Sequence, residues 1–443
     1  MNYSEFSRWV SRKLNITLRL KTVALAYVIF LMISYRKHSC TAAAEFASAN
    51  KSNFSKFLKN HWELAIYKLD ELSKKQAKQF SKSIALLANG KLPWKIAIII
   101  DATLQLRSSL HAQNVKRFNH GKGFVIGHQW TNIVLFFNDR LIPLPPIGFY
   151  SKSYCREHHL KYQTEHQKVV DYLKTLDLKD YIGAHDPKQV VVLADSGYDN
   201  KDIEKAIERK RWIYVIALKK KRSVKTEKQY ANTPKSNGWD QVQQLFKKHR
   251  RLKWVTVFLP KNSSRKKRKE FRTRQTIGYL RDVGKAQLVC SEFAKRPQGR
   301  RKYLACNDLK AAPWKILLGY RIRWEIEIFH KMTKMFLGFE DVAPKSFESV
   351  ISHVHWVYCA YILMNSHPPG MPKSMKSIAE KQRLITQSVK KREVSRMLQQ
   401  LSQIKGAERM KVCDHRSNSQ PIPAELIPTK IIGDAPPACI SLF

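Results

Sequence analysis

The chain has 443 residues, with 81 Lys and Arg against 35 Asp and Glu, a formal net charge of +46 and a pI near 10.1. Hydrophobic residues make up 43%, which excludes a mainly disordered chain, and only 16 glycines exclude a collagen-like one. So large a charge is foreign to small-substrate metabolic enzymes and points to a polyanion as partner.

Residues 1–90 read as helices. Neither Pro nor Gly occurs before Gly90, and apolar residues recur at helical spacing. The uncharged run TVALAYVIFLMISY (22–35) is 14 residues long. A membrane span needs about 20, so a buried helix and no membrane partner are expected. The seven cysteines are odd in number, widely spaced and free of CxxC, which fits a reducing cytoplasm better than a disulfide framework or zinc finger. Residues 41–60 suggest a helix-turn-helix, with an Ala-rich helix, a turn at Ser48-Ala49-Asn50 and a second helix from Ser52. Phe54, Phe57 and Leu58 would face inward, leaving Lys51, Asn53 and Lys56 for DNA. An amphipathic helix pair that simply packs fits the same pattern.

Near residue 94 the period changes. WKIAIIIDAT (94–103), GFVIGHQWTNIVLFF (123–137) and the Pro-marked LIPLPPI (141–147) read as strands, with a turn at Asn138-Asp139-Arg140. A helix is expected over 156–176, a buried strand at QVVVLADSG (189–197), a helix over 199–210 and a strand at WIYVIAL (212–218). A meander followed by strand–helix alternation indicates an α/β domain with a mixed sheet. Residues 219–302 carry 27 Lys/Arg against 5 Asp/Glu, a net of +22, interleaved with the strand-like pieces WVTVFL (254–259) and QTIGYL (275–280). That is a β-rich insertion whose self-repulsion calls for a polyanion. RKYLACND (301–308) is one more strand, a long helix runs from Pro313 past Lys334, an apolar helix covers 346–364, and 371–412 are helical and basic before a Pro-rich tail.

Asp101 and Asp195 stand at the ends of buried strands. In α/β sheets that is where functional groups collect, although a turn-starting or capping Asp is the plainer account of each alone. On the helix after Pro313, Tyr320, Arg323, Glu327 and Lys334 project within an arc of about 60° at about 100° per residue. Glu325 faces elsewhere. A solvated Arg323–Glu327 salt-bridge ladder would give the same spacing.

The string Tyr-(2)-Arg-(3)-Glu-(6)-Lys, here Y-RI-R-WEI-E-IFHKMT-K, resembles the signature of bacterial insertion-sequence transposases of the DDE cut-and-paste type. The order strand–Asp101, strand–Asp195, β-rich insertion, helix–Glu327 resembles that family as well. The resemblance implies an RNase H-like mixed-sheet core, 91–218 and 303–370, split by the insertion at 219–302. A helical DNA-binding region (1–90) and a helical, dimerising region with a loose tail (371–443) would flank it. By this resemblance Asp101, Asp195 and Glu327 are catalytic and bind two Mg²⁺, with Mn²⁺ substituting, while Tyr320, Arg323 and Lys334 hold DNA. The implied reaction is hydrolysis at the 3′ ends of the element and attack by the freed hydroxyl, by way of a hairpin in the nearest relatives. Trp239, Trp254 and Phe293 are candidates to stack a flipped base there, and His128 and Trp130 are strand residues that could face the site. The implied partners are element ends, target DNA and a second copy of the chain, in a bacterial cytoplasm at the nucleoid. Two rivals stand beside this reading: a nuclease of the same fold that cuts without joining, and an inert DNA-binding repressor.

Overall fold

Consecutive β-branched residues favour a strand buried on both faces, and Ile96–Leu106 (β1) is that strand, with Ile96 to Ile100 fully covered. The computed structural model describes residues 1–35, 37–82, 94–108, 110–120, 123–233, 238–248, 252–259, 269–295, 301–341, 344–375 and 377–416. Gly123–Phe137 (β3) runs antiparallel to β1 and sets Asn132 opposite Asp101. Lys116–His120 (β2), Arg140–Pro143 (β4) and Ile147–Gly148 (β5) pair with β3. The β3–β4 turn places Asn138 and Asp139 at φ 51° and 54°, as a two-residue hairpin loop requires. On the other side of β1, Val190–Ala194 (β6) and Ile213–Leu218 (β7) continue the sheet in parallel.

The basic insertion adds to this same sheet. It contains Ser223–Thr226 (β8), Glu227–Asn232 (α10), Asp240–Gln241 (β9), Val242–Lys248 (α11), Val255–Leu259 (β10), Lys269–Leu280 (β11) and Gly284–Phe293 (β12). Lys302–Cys306 (β13) then returns antiparallel to β7. Among the described residues the strand order is β2-β3-β1-β6-β7-β13-β12-β11-β8-β9, with β10 on β11 and β4 and β5 on β3.

Two layers of helix cover the core. Glu165–Thr175 (α7) and Lys201–Arg209 (α9) bury Val169, Leu173, Ile203 and Ile207 against Ile96, Ile98, Ile100 and Val192. The short Lys152–Glu157 (α6) and Lys179–Ile182 (α8) flank α7 in sequence. The residues of β1 alternate across the sheet, so Asp101 faces the other layer. That layer is Pro313–Ile322 (α12), Trp324–Phe336 (α13) and Phe347–Asn365 (α14). Gly319 lets α12 come close, because a Cβ there would lie 2.7 Å from Trp94 Cζ3.

The N-terminal helices are Tyr3–Leu14 (α1), Leu18–Met32 (α2), Cys40–Ala47 (α3), Lys51–Asn60 (α4) and Trp62–Ser81 (α5). α2, α4 and α5 gather on α14, which is buried from Ser349 to Met364 and at Phe347, while α1 and α3 pack on those helices. Trp356 stacks on Phe57 at 5.7 Å, and the Tyr27 hydroxyl donates to His353 Nδ1 at 2.7 Å. The apolar run at 22–35 is thus largely a core helix, α2. No single helix among the described residues is long and apolar enough to cross a membrane, and α1 and α2 are bent by 119°. Met1–Thr386 packs as one compact unit and a second begins at Gln387, its described part being the remainder of Ile378–Arg416 (α15).

Two expected helices are broken. The helix expected over 156–176 is α6 and α7, because Thr164 and Gln167 form a capping box that starts α7 afresh. The helix from Pro313 is interrupted at Arg323, where the amide of Ile326 reaches back three residues to the Arg323 carbonyl. The Pro-rich tail beyond Arg416 lies outside the described residues.

Burial pushes His128, His353 and His355 down to about 4 and His330 to about 3, from an ordinary 6.5. Their neutral rings are hydrogen-bonded, His353 Nε2 and His355 Nδ1 donating to Gly338 O and Ile351 O. The unfolded chain binds these protons first, so stability is complete above pH 6.5 and falls as pH drops toward 4. Protonating a ring in place costs about 3 kcal/mol for His128, His353 and His355 and about 5 kcal/mol for His330. The unfolding midpoint should therefore fall steeply over that window, and His355→Gln should flatten the fall. A midpoint constant across the window would contradict this account.

Candidate active site

β6 ends beside the middle of β1, which runs on to Leu106. Asp101 therefore lies inside its strand, opposite Asn132, and not at a strand end as the sequence led one to expect; a long antiparallel partner, β3, carries β1 past it. Ile100 pairs with Ala194, so the next residue after each, Asp101 and Asp195, lies at the same level of the sheet. Asp195 opens the 3-10 turn Ser196–Tyr198 and accepts the amide of Gly197 at 2.8 Å. Glu327 arrives from α13, in the layer that Asp101 faces. Arg323 joins them: Nη1 lies 3.3 Å from Asp101 Oδ2, and Nη2 donates to Glu327 Oε1. The guanidinium is 7% exposed.

The electrostatics place the acids in one field. Burial pushes the Asp101 carboxyl up to about 6; Arg323 opposes this, and the charges of Asp195 and Glu327 add to it. Among the described residues, no three Asp, Glu, His or Cys side chains are grouped so that they could hold a metal ion as they stand. The donor set itself, three carboxylates, suits a hard dication such as Mg²⁺ or Mn²⁺. In this structure the cation between Asp101 and Glu327 is Arg323.

The other signature residues extend from this point. Tyr320 is flanked by two cations, Lys302 Nζ at 4.9 Å and Arg323 Cζ at 5.6 Å from its ring. Lys334 is two turns along α13, where it donates to Leu104 O at 2.6 Å and pairs with Glu340 at 2.9 Å. It therefore ties α13 to β1 rather than to the acids. Lys51, Asn53 and Lys56 are exposed on α4, with Phe54, Phe57 and Leu58 buried beneath. Ser48 turns the chain at φ 49°, and Asn50 caps a second helix that starts at Lys51, one residue early. These three stand in the N-terminal helices and are not part of the acid cluster.

His128 and Trp130 are packed. His128 donates through Nε2 to Gln113 O at 2.9 Å and stacks on Phe347, and Trp130 Nε1 donates to Gln105 at 3.1 Å. Of the insertion aromatics, Trp254 has the guanidinium carbons of Arg272, Arg274 and Arg301 at 5.0, 4.4 and 5.6 Å. Trp239 lies under Lys225 Nζ at 4.9 Å, and the half-exposed Phe293 stacks on Phe271 at 4.7 Å.

Two supports escaped the sequence reading. Asn132, opposite Asp101, donates to His330 Nε2 at 2.8 Å and accepts from the Tyr358 hydroxyl at 2.6 Å. His330 is one turn beyond Glu327, so this pair pins α13 to β3 beside Asp101; an apolar-face His at i+3 was the available signal. On the Asp195 side, Glu165 accepts from Tyr198, Thr131 and Gln129, each at 2.7 Å. His166 Nε2 donates to Gly197 O at 2.8 Å. The first turn of α7 thus holds the turn that carries Asp195, and no sequence spacing announces that contact.

The family model for the transposase DDE domain matches residues 95–363, a span that holds Asp101, Asp195 and Glu327. No curated protein matches the chain.

Asp101 holds its proton more tightly folded than unfolded, about 6 against 3.8, so ionising it removes stability as pH rises through that window. The cost above pH 6 is about 3 kcal/mol. Asp101→Asn should therefore raise the unfolding midpoint relative to wild type at neutral pH and give no gain near pH 4. Equal midpoints at neutral pH would mean that burial beside the other acids does not strain the Asp101 carboxylate.

Proposed function

The chain belongs to the transposase DDE-domain family, and on that footing we propose that it is a cut-and-paste DNA transposase. It cleaves the ends of its own element and joins them to target DNA. The observation that carries this reading is the acid set: Asp101 and Asp195 from adjacent parallel strands, with Glu327 from a separate helix in the same electrostatic field. A sheet with antiparallel β3 beside β1 and parallel β6 and β7 beyond supports an RNase H-like core.

Asp101, Asp195 and Glu327 would hold two Mg²⁺, or Mn²⁺, which activate a water or 3′-hydroxyl and stabilise the leaving oxygen when bound. The chain's own residues do the rest. Tyr320 and Arg323, with Lys302 beside them, offer a cationic strip for phosphates next to the acids. Lys334 extends that strip if its ammonium exchanges Glu340 for a phosphate. α4 offers Lys51, Asn53 and Lys56 to the element end. The net +22 of residues 219–302 cradles the duplex. On α15, Val394, Met397 and Leu398 are exposed at i, i+3, i+4, which supports a dimer that brings two ends together. Five buried free cysteines suit the reducing bacterial cytoplasm where the nucleoid lies.

The test uses purified chain and DNA carrying the gene's own flanks, with Mg²⁺, with EDTA, and with Glu327→Gln. The expected result is release of the element only with metal and wild-type Glu327, the variant losing roughly 10³-fold in rate while still binding ends. Hairpin ends on a denaturing gel would establish the hairpin route. Tight binding without a cut in any lane would favour the repressor instead. Separately, Lys56→Ala should lower the salt slope of end binding by about one unit, and an unchanged slope would remove α4 from the interface.

A further inference from the structure

Arg323 occupies oxygens that a metal would need. One guanidinium spans Asp101 Oδ2 and Glu327 Oε1, two of the three acids, and its Nε is buried with no hydrogen-bond partner. A dication held by the same oxygens would stand a few ångströms from a fixed positive charge in a half-buried site. That repulsion is severe at low effective dielectric. Arg323 and the metal therefore exclude one another in this arrangement. A second berth lies next door. The Tyr320 ring has Arg323 Cζ at 5.6 Å and Lys302 Nζ at 4.9 Å from its centroid, and among the described residues Lys302 makes no salt bridge. A phosphate lodged there would be an alternative counter-ion for the guanidinium.

We propose that Arg323 is a resident counter-cation that keeps Asp101 and Glu327 from binding metal until a DNA phosphate beside Tyr320 and Lys302 draws it away. The inference rests on reading the acids as metal ligands and DNA as substrate. It adds a coupling: DNA promotes metal binding, and by linkage metal promotes DNA binding by the same factor. A free chain would then be a poor nuclease, and cleavage competence would arrive with the substrate.

The measurement is calorimetric titration of Mn²⁺ into the full chain at mildly alkaline pH, with and without a short duplex of generic sequence. Wild type, Arg323→Gln and Arg323→Lys are compared. Without DNA, Arg323→Gln should bind Mn²⁺ about 10-fold tighter than wild type. Arg323→Lys should fall between, since a point charge cannot span both carboxylates. DNA should tighten Mn²⁺ binding to wild type by a similar factor and leave Arg323→Gln unchanged. A merely structural arginine would not give a gain of affinity on removal. Equal or weaker Mn²⁺ binding by a folded Arg323→Gln overturns the proposal. If that variant fails to fold, Arg323→Lys decides it by the same comparison. No Mn²⁺ bound by any protein, with or without DNA, would instead overturn the reading of the acids as a metal site.

Discussion

Burying a carboxylate against an apolar sheet costs free energy, the charges of two nearby acids add to that cost, and the site is arranged around it. Asp101 follows five buried aliphatic residues, so its carboxylate leaves water just where Asp195 and Glu327 add their fields. Arg323 relieves part of the strain, but the carboxyl still sits near 6. The acids stay together because each is anchored by something other than its neighbours. Asp195 caps its turn, and α7 grips that turn through Glu165 and His166. Glu327 rides on a helix pinned through Asn132 and His330. A site that costs stability while held ready is the usual relation between strain and function.

α14 transmits that rigidity to the rest of the chain. Its apolar circumference has a sheet-side contact, Tyr358 on Asn132, and contacts to the N-terminal helices, Trp356 on Phe57 and His353 on Tyr27. A helix with no polar face must be enclosed on all sides, and α2, α4 and α5 supply the far side. The helices that carry Lys51, Asn53 and Lys56 therefore rest on the helix that rests on β3. The insertion is joined as firmly, since β13 adds its strands to the core sheet through β7.

Much of this was legible along the chain. Period and β-branching gave β1, β3, β6, β7 and β13 within a few residues, and the capping and turn residues around Ser48–Asn50 gave the α3–α4 pair. Helix breaks were less legible. The capping box at Thr164 is a local signal that was available, whereas the interruption at Arg323 has no Pro or Gly to mark it. Lys334 keeps its helical offset from Glu327 on α13, and tertiary packing carries its ammonium to Leu104 O and Glu340.

The sequence by itself determined the α/β class, the basic character, that Asp195 follows a buried strand and that Glu327 sits on a helix, because these follow from residue type and short periods. Only the tertiary structure decided what surrounds them. It brought Asn132 to His330, Glu165 to Tyr198, and Asp101 to the Arg323 that pairs with Glu327 one helical turn away, contacts across 198, 33 and 222 positions. Contacts across such separations depend on strand register and on the packing of helices over a sheet. No local pattern encodes either one, and only burial of the whole core selects among the alternatives.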